Sequence, residues 1–166
     1  MDQKQLTHLA ISFLKEKYSL ELNVPIKINN RLKVALGQFI CNRNGAECID
    51  ISGNLIKYGT EHVIIDTLYH ELVHYALYTL EKPYHDGQRY FEDELHKHGI
   101  GGTNEIFVGR FMEYECPKCK QRYNTELLKV IREPESYNTR CCKVKIKPTR
   151  FITHTGEGTL EQLIAN

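Results

Sequence analysis

No stretch of this chain is apolar for long enough to cross a bilayer. The longest uncharged apolar segment, residues 72–80, falls far short of the ~20 residues a spanning helix needs. The polar start, Met1-Asp2-Gln3-Lys4-Gln5, is not followed by a continuous apolar core of the signal-peptide kind. No membrane role is therefore expected, and a cytoplasmic protein is the default. Internal repeats and low-complexity tracts are lacking too, so neither a repeat array nor a biased tail organises the chain. Net charge is nearly absent at +1, but it is unevenly spread. Residues 117–150 carry ten Lys and Arg against three Asp and Glu, a net of +7 that leaves −6 for the rest. An acidic body is joined to a basic tail.

What is present suits one compact domain with a small appendage: 166 residues, 41% hydrophobic and 26% charged. Asp2 can cap a first helix whose stripe of Leu6, Leu9, Ala10, Phe13 and Leu14 has helical spacing, ending near Tyr18. β-type runs follow at residues 26–28 and 32–40. Asn42-Arg43-Asn44-Gly45 reads as a turn, and residues 48–52 as a returning strand. Gly53 and Gly59 bracket a connector. Thr60-Glu61 opens a long helix through Val63, Ile64, Leu68, Leu72 and Ala76 that ends before Pro83. Asp86 can cap a further helix over residues 87–98, with Gly99 as its stop. Residues 99–103 read as a loop, and residues 104–112 fit neither period clearly.

The long helix contains His70-Glu71-Leu72-Val73-His74. Residues four apart share a helix face, so His70 and His74 can present both imidazoles to one metal ion. Glu71 projects from nearly the same side, placed to act as general base on a water activated by zinc and then to protonate the leaving amine. A catalytic zinc usually takes three protein ligands and keeps one position open. The metzincin extension needs Gly at position 77 and His at position 80; both are Leu, which excludes that class. The third ligand is then Glu92 or Glu94 from the following helix, or His85 just past the Pro83 break. Tyr84, Arg89 and Tyr90 are the candidates for steadying the oxyanion.

Six cysteines without an export signal point to metal ligation or free thiols rather than disulfides. Cys41 and Cys48, which flank the predicted turn, read as free, partly buried thiols. Cys116-Pro117-Lys118-Cys119 is a zinc half-site, but its partner is Cys141-Cys142, with Val144 where a cysteine spaced from Cys141 would follow. Three readings remain: an irregular four-cysteine site, a site completed by another group such as His154, or a ribbon without metal. The basic residues around this module could engage phosphates, and Tyr123, Tyr137 and Phe151 could stack on unpaired bases.

The motif at residues 70–74, followed by Tyr84-His85-Asp86-Gly87 and an aromatic at Tyr90 or Phe91, resembles the SprT-like metalloproteases. That family includes bacterial SprT-type proteins and the eukaryotic Spartan protease. The resemblance extends to the N-terminal helix and the hairpin region of residues 37–55. It also takes in residues 114–123, which look like the first knuckle of the family's zinc ribbon. It implies zinc ligands His70, His74 and His85, with Glu71 as catalytic base, and substrates among DNA-bound or crosslinked proteins.

The expected architecture is α+β. Residues 1–113 should form a small zincin-like catalytic domain of N-terminal helix, β-hairpin or short sheet, His-Glu-x-x-His helix and following helix. Residues 114–166 should form a basic zinc-ribbon-like β module. The expected function is a zinc-dependent metallopeptidase acting on DNA-associated proteins, with DNA, single-stranded DNA included, as a partner. One catalytic Zn2+ and a second, structural Zn2+ at Cys116, Cys119, Cys141 and Cys142 are implied. The alternative is a non-cleaving, nucleic-acid-binding or regulatory zinc protein with the same fold.

Overall fold

Asp2 and Gln5 close a capping box at the start of α1 (Gln3–Tyr18). The Asp2 carboxylate accepts the Gln5 N–H at 2.8 Å, and the Asp2 N–H donates to the Gln5 side chain at 2.7 Å. The helix buries Leu6, Ala10, Phe13 and Leu14, the stripe its spacing predicts except for Leu9. In the computed structural model, residues 1–33, 35–101, 106–157 and 159–163 are described. They are mixed α and β, with two small sheets in two compact units, Met1–Ile106 and Phe107–Asn166.

In the first unit β1 (Ile26–Asn29) runs parallel to β3 (Gly45–Ser52), while β2 (Gly37–Asn42) pairs antiparallel with β3, giving the order β1-β3-β2. Ile49 and Ile51 of the central strand are fully buried. The hairpin turn forms as expected, with Gly45 at φ 125° and the Asn42 side chain accepting the Asn44 N–H at 2.7 Å. The run expected over residues 32–40 becomes strand only from Gly37. Before that, the Asn29 side chain and carbonyl capture the N–H groups of Arg31 and Leu32 in a turn.

The connector is a short helix, α2 (Gly53–Tyr58), and the long helix is α3 (Glu61–Thr79), capped by the Thr60 hydroxyl. Ten residues of α3 are buried, including Val63, Leu68, Leu72 and Ala76 and, unusually, Glu71 and His74. The Tyr75 hydroxyl fixes the chain after α1 to this helix, donating to the Glu21 carbonyl at 3.0 Å and accepting the Asn23 N–H at 3.1 Å. The next helix, α4 (Arg89–Lys97), starts later than residue 87. Its N-cap is Gln88, without a side-chain cap bond, so Asp86 is not the cap its position suggested. The Gly101 N–H meets both oxygens of Asp66 at 3.0 and 3.2 Å, tying the exit of α4 to α3. The rest of the expected loop, and the start of the segment without a clear period, lie partly outside the described residues.

The second unit is an antiparallel sheet of β4 (Val108–Glu115), β5 (Arg122–Thr125), β6 (Lys147–Thr155) and β7 (Thr159–Leu163), ordered β5-β4-β6-β7. A short helix, α5 (Leu128–Arg132), precedes a single 3-10 turn at Pro134–Ser136. One small hydrophobic cluster of this unit is Met112, Tyr114, Val130 and Ile146, with Tyr123, Ile131, Tyr137 and Phe151 packed on its margin; Val108 and Ile152 are buried as well. The division between units falls at 106/107, whereas 113/114 was expected. The later boundary would cut through β4, which pairs with β6 from Val108 to Glu115. The change of composition at residue 114 marks the first cysteine knuckle, not the start of the sheet. Among the described residues no helix is long and apolar enough to cross a membrane.

Candidate metal and catalytic site

α3 carries His70 and His74 one turn apart, and their Nε2 atoms face each other at 3.2 Å. The Nδ1–H of His74 donates to the Tyr84 carbonyl in a very short hydrogen bond. A neutral imidazole with its proton on Nδ1 offers Nε2 as an acceptor, so this bond selects the tautomer that presents a lone pair to the site. Burial keeps the His74 ring neutral, pulling its pKa down against the effect of the Tyr84 bond, with His70 adding to the depression. Phe91 of α4, fully buried, stacks on His74 at 4.1 Å and meets His70 edge-on at 5.3 Å. It therefore fixes both ring planes. Tyr90, the alternative aromatic, is exposed.

Glu71 points from α3 toward β2, an edge strand. Its Oε2 accepts the Phe39 N–H at 2.7 Å, and the residue is 7% exposed. Burial pushes this acid up to about 8; the Phe39 bond opposes the shift, and the negative charge of Asp86 adds to it. Gly37 of the same strand leaves no room for a side chain beside Glu71. A Cβ there would lie 2.8 Å from both Cγ and Oε1 of Glu71 and 2.9 Å from Thr67. Only glycine lets β2 approach this carboxylate so closely. Glu71, His74, Tyr84 and the β2 residues Gly37 and Phe39 line an open groove of about 230 Å³.

The turn between α3 and α4 brings Asp86, not His85, to the paired imidazoles. Asp86 Oδ1 lies 3.1 Å from His70 Nε2 and 3.5 Å from His74 Nε2. These three side chains form a group able to hold a metal ion. Two imidazoles and a carboxylate converging on one point are a donor set that zinc accepts, so these residues fit a metal. His85 lines the same groove but lies outside that group; its ring packs on Tyr84 at 4.1 Å. Glu92 accepts the Gly87 N–H at 2.9 Å, and Glu94 binds Lys97 at 2.8 Å and His98 at 3.1 Å, so each is committed elsewhere. Of the three oxyanion candidates only Tyr84 lines the groove. Arg89 is 96% exposed and paired with Asp93. His98, the partner of Glu94, packs against Phe13 and Tyr18.

In the second unit Cys116, Cys119, Cys141 and Cys142 converge into a group that could hold a metal ion. Backbone register explains how adjacent cysteines manage this. In the first knuckle the Cys116 N–H bonds the Gln121 carbonyl, the Lys120 N–H bonds the Cys116 carbonyl, and Lys120 has φ 64°. The second repeats the pattern with Thr139, Val144 and Lys143, the last at φ 56°. Thr139 thus occupies the place of Cys116, and Cys142 that of Cys119. The missing cysteine lies upstream, at a buried threonine whose hydroxyl is 3.7 Å from Cys116 Sγ, and Cys141 supplies the fourth sulfur from within the bend. The Tyr123 phenol bonds to Cys141 and brings its thiol down to about 6, so thiolate forms there at neutral pH. His154 takes no part in this group; its ring meets Phe111 at the far end of the sheet. Cys41 and Cys48 are free, the first half-buried and the second buried.

A match to the SprT-like family spans residues 4–94, more than half of the chain. The chain belongs to the SprT-like family. The matched segment runs from α1 into α4 and includes every residue of the histidine group. The chain is also similar to two proteins called SprT-like from two strains of Bacillus cereus, at 24% and 26% identity. Each of these alignments covers 89% of this chain and 97% of the relative. No solved structure matches.

Proposed function

We propose that this SprT-like chain is a zinc-dependent metallopeptidase with a zincin-like catalytic unit. The observation that carries the reading is the buried Glu71 carboxyl, bonded to the edge strand β2 and lining one groove with His74. His70 and His74 would hold the metal, with a third ligand from the turn after α3. When bound, zinc supplies Lewis acidity, polarising a carbonyl and lowering the pKa of water to about 7. Glu71 moves the proton. Its Oε2 is held by the Phe39 N–H, which leaves Oε1 to take a proton from water in the groove and return it to the departing amine. Phe91 and the Tyr84 carbonyl keep the imidazoles in place during both transfers.

The substrates we infer are proteins associated with DNA. Support comes from the basic excess of residues 117–150, where Lys118, Lys120, Arg122, Lys129, Arg132, Arg140, Lys143, Lys145 and Lys147 are exposed. Tyr123, Tyr137 and Phe151 contribute less than their chemistry promised, because they pack on the small core. A DNA-binding protein incubated with the zinc-loaded chain, with and without single-stranded DNA, tests both parts. Cleavage stimulated by DNA and lost in Glu71→Gln is the expected result. DNA binding with no cleavage would favour the non-cleaving, nucleic-acid-binding alternative.

A further inference from the structure

The sheet of the second unit has two faces, and strand register sorts their residues. Met112 and Tyr114 of β4, with Tyr123 and Phe151 opposite them, belong to the buried cluster or pack on it. Phe111, Glu113 and Glu115 stand on the other face, because successive side chains of a strand alternate. Three rows cross that face. Arg122, Glu115 and Lys147 form one, Asn124, Glu113 and Arg150 the next, and Phe111 with Ile152 the third. Gly109, paired with His154, adds no side chain beyond them.

A groove of about 500 Å³ on this face is lined by Phe107, Phe111, Asn124, Arg150 and His154, among others. One end is aromatic. Phe107 is 63% exposed and leaves most of its ring in water. The rings of Phe111 and His154 stand nearly perpendicular, at 81°, with centroids 5.2 Å apart. A flat ring laid on one of them meets the other edge-on. The other end is polar. Asn124 carries an amide that both donates and accepts. Arg150 bonds both oxygens of Glu113, at 2.5 and 3.2 Å, so a guanidinium answers that carboxylate. In the next row Glu115 is shared by Lys120 at 3.3 Å and Arg122 at 3.8 Å, and with Lys147 three exposed cations face one acid.

We propose that this groove takes one unpaired base of single-stranded DNA, with the phosphates running on toward Lys120, Arg122 and Lys147. The inference rests on the DNA-associated reading of the basic unit and gives it a site. Flat apolar walls beside an amide, next to a cationic row, match a base joined to phosphates. An apolar peptide side chain would fill the aromatic end but leave the cationic row without a counter-charge. Tyr123, Tyr137 and Phe151 are committed to the buried cluster, so stacking passes to Phe107 and Phe111. Stacking is tolerant of base identity, and no sequence preference is expected from these two rings.

The test uses the full chain and strands that differ only in their bases. Binding of a fluorescein-labelled oligothymidine is compared with that of an abasic strand of equal length, which keeps the phosphates. The wild type should bind the thymidine strand about 5–150-fold more tightly, the range for one stacked base. Phe107→Ala should lose most of that preference and keep its affinity for the abasic strand. Phe107 is exposed, so the fold tolerates the substitution, and unchanged abasic binding verifies this. A strand carrying iodouracil, irradiated in the complex, should crosslink to Phe107 or Phe111. Equal affinity for both strands, an undiminished preference in Phe107→Ala, or crosslinks confined to Tyr123, Tyr137 and Phe151 overturns the site while DNA binding stands. If neither strand binds, the DNA-associated reading falls as well.

Discussion

The two groups of residues able to hold a metal ion differ in what supports them. His70 and His74 ride on a helix with ten buried residues, backed by Phe91, and their positions do not depend on an ion for support. The four cysteines sit on two short knuckles beside a small cluster that holds Met112, Tyr114, Val130 and Ile146. So small a cluster rarely stabilises a fold unaided. A metal held in each of the two places would then have opposite jobs: chemistry in the first unit and architecture in the second.

Removing metal should therefore break the comparison open. With a structural site contributing on the order of 10 kcal/mol, chelation should strip hydrogen-exchange protection from β4, β5 and β6 while α3 stays protected. Equal loss in both units would contradict this division of labour. Cys142→Ser should act like chelation on the second unit alone.

Phe91→Ala is next in size. It removes a fully buried ring and the support of both imidazoles, for an expected loss of about 3–5 kcal/mol in stability together with weaker metal binding. Tyr90→Ala, one residue earlier but exposed, should change either quantity little in urea melts and metal titrations.

Gly37→Ala should cost about 1–3 kcal/mol, since its Cβ would displace Glu71 or Thr67. The effect on catalysis should exceed the effect on melting, because the displaced group is the proposed base. A variant with full activity would remove Gly37 from the account.

The last effect is one of pH, in metal-free protein. Folded Glu71 keeps its proton up to about 8, while the unfolded acid releases it near 4.5. Between those values the folded state binds more protons, so this residue's contribution to stability falls as pH rises and levels off above about 8. Glu71→Gln should lose that slope, so the gap in melting temperature between variant and wild type should widen in the variant's favour from pH 5 to pH 8. A constant gap would show that Glu71 titrates normally.

How much of this was legible in the chain depended on whether signals were local. The Asp2 cap, the stripe of α1 apart from Leu9, the hairpin turn and the facing of His70 and His74 each rest on residues close in sequence, and each is present in the structure. The third side chain facing the imidazoles was less accessible. An aspartate three residues before a helix looks like a cap, and spacing alone cannot say which of residues 85 and 86 a turn will point inward. The backbone bonds of that turn decide it. At the cysteines the missing partner was sought downstream at Val144, whereas the repeat of backbone register places it upstream at Thr139. A comparison of both knuckles from their αL lysines, Lys120 and Lys143, would have found it.

The central claim is that Glu71 is the base of a zinc peptidase, and one paired measurement tests it most directly. Zinc content and cleavage of a protein substrate are measured on the same samples of wild type and Glu71→Gln. The account predicts equal zinc in both and a fall of about 10²–10⁴-fold in cleavage for the variant. Equal cleavage by a zinc-loaded Glu71→Gln would contradict it.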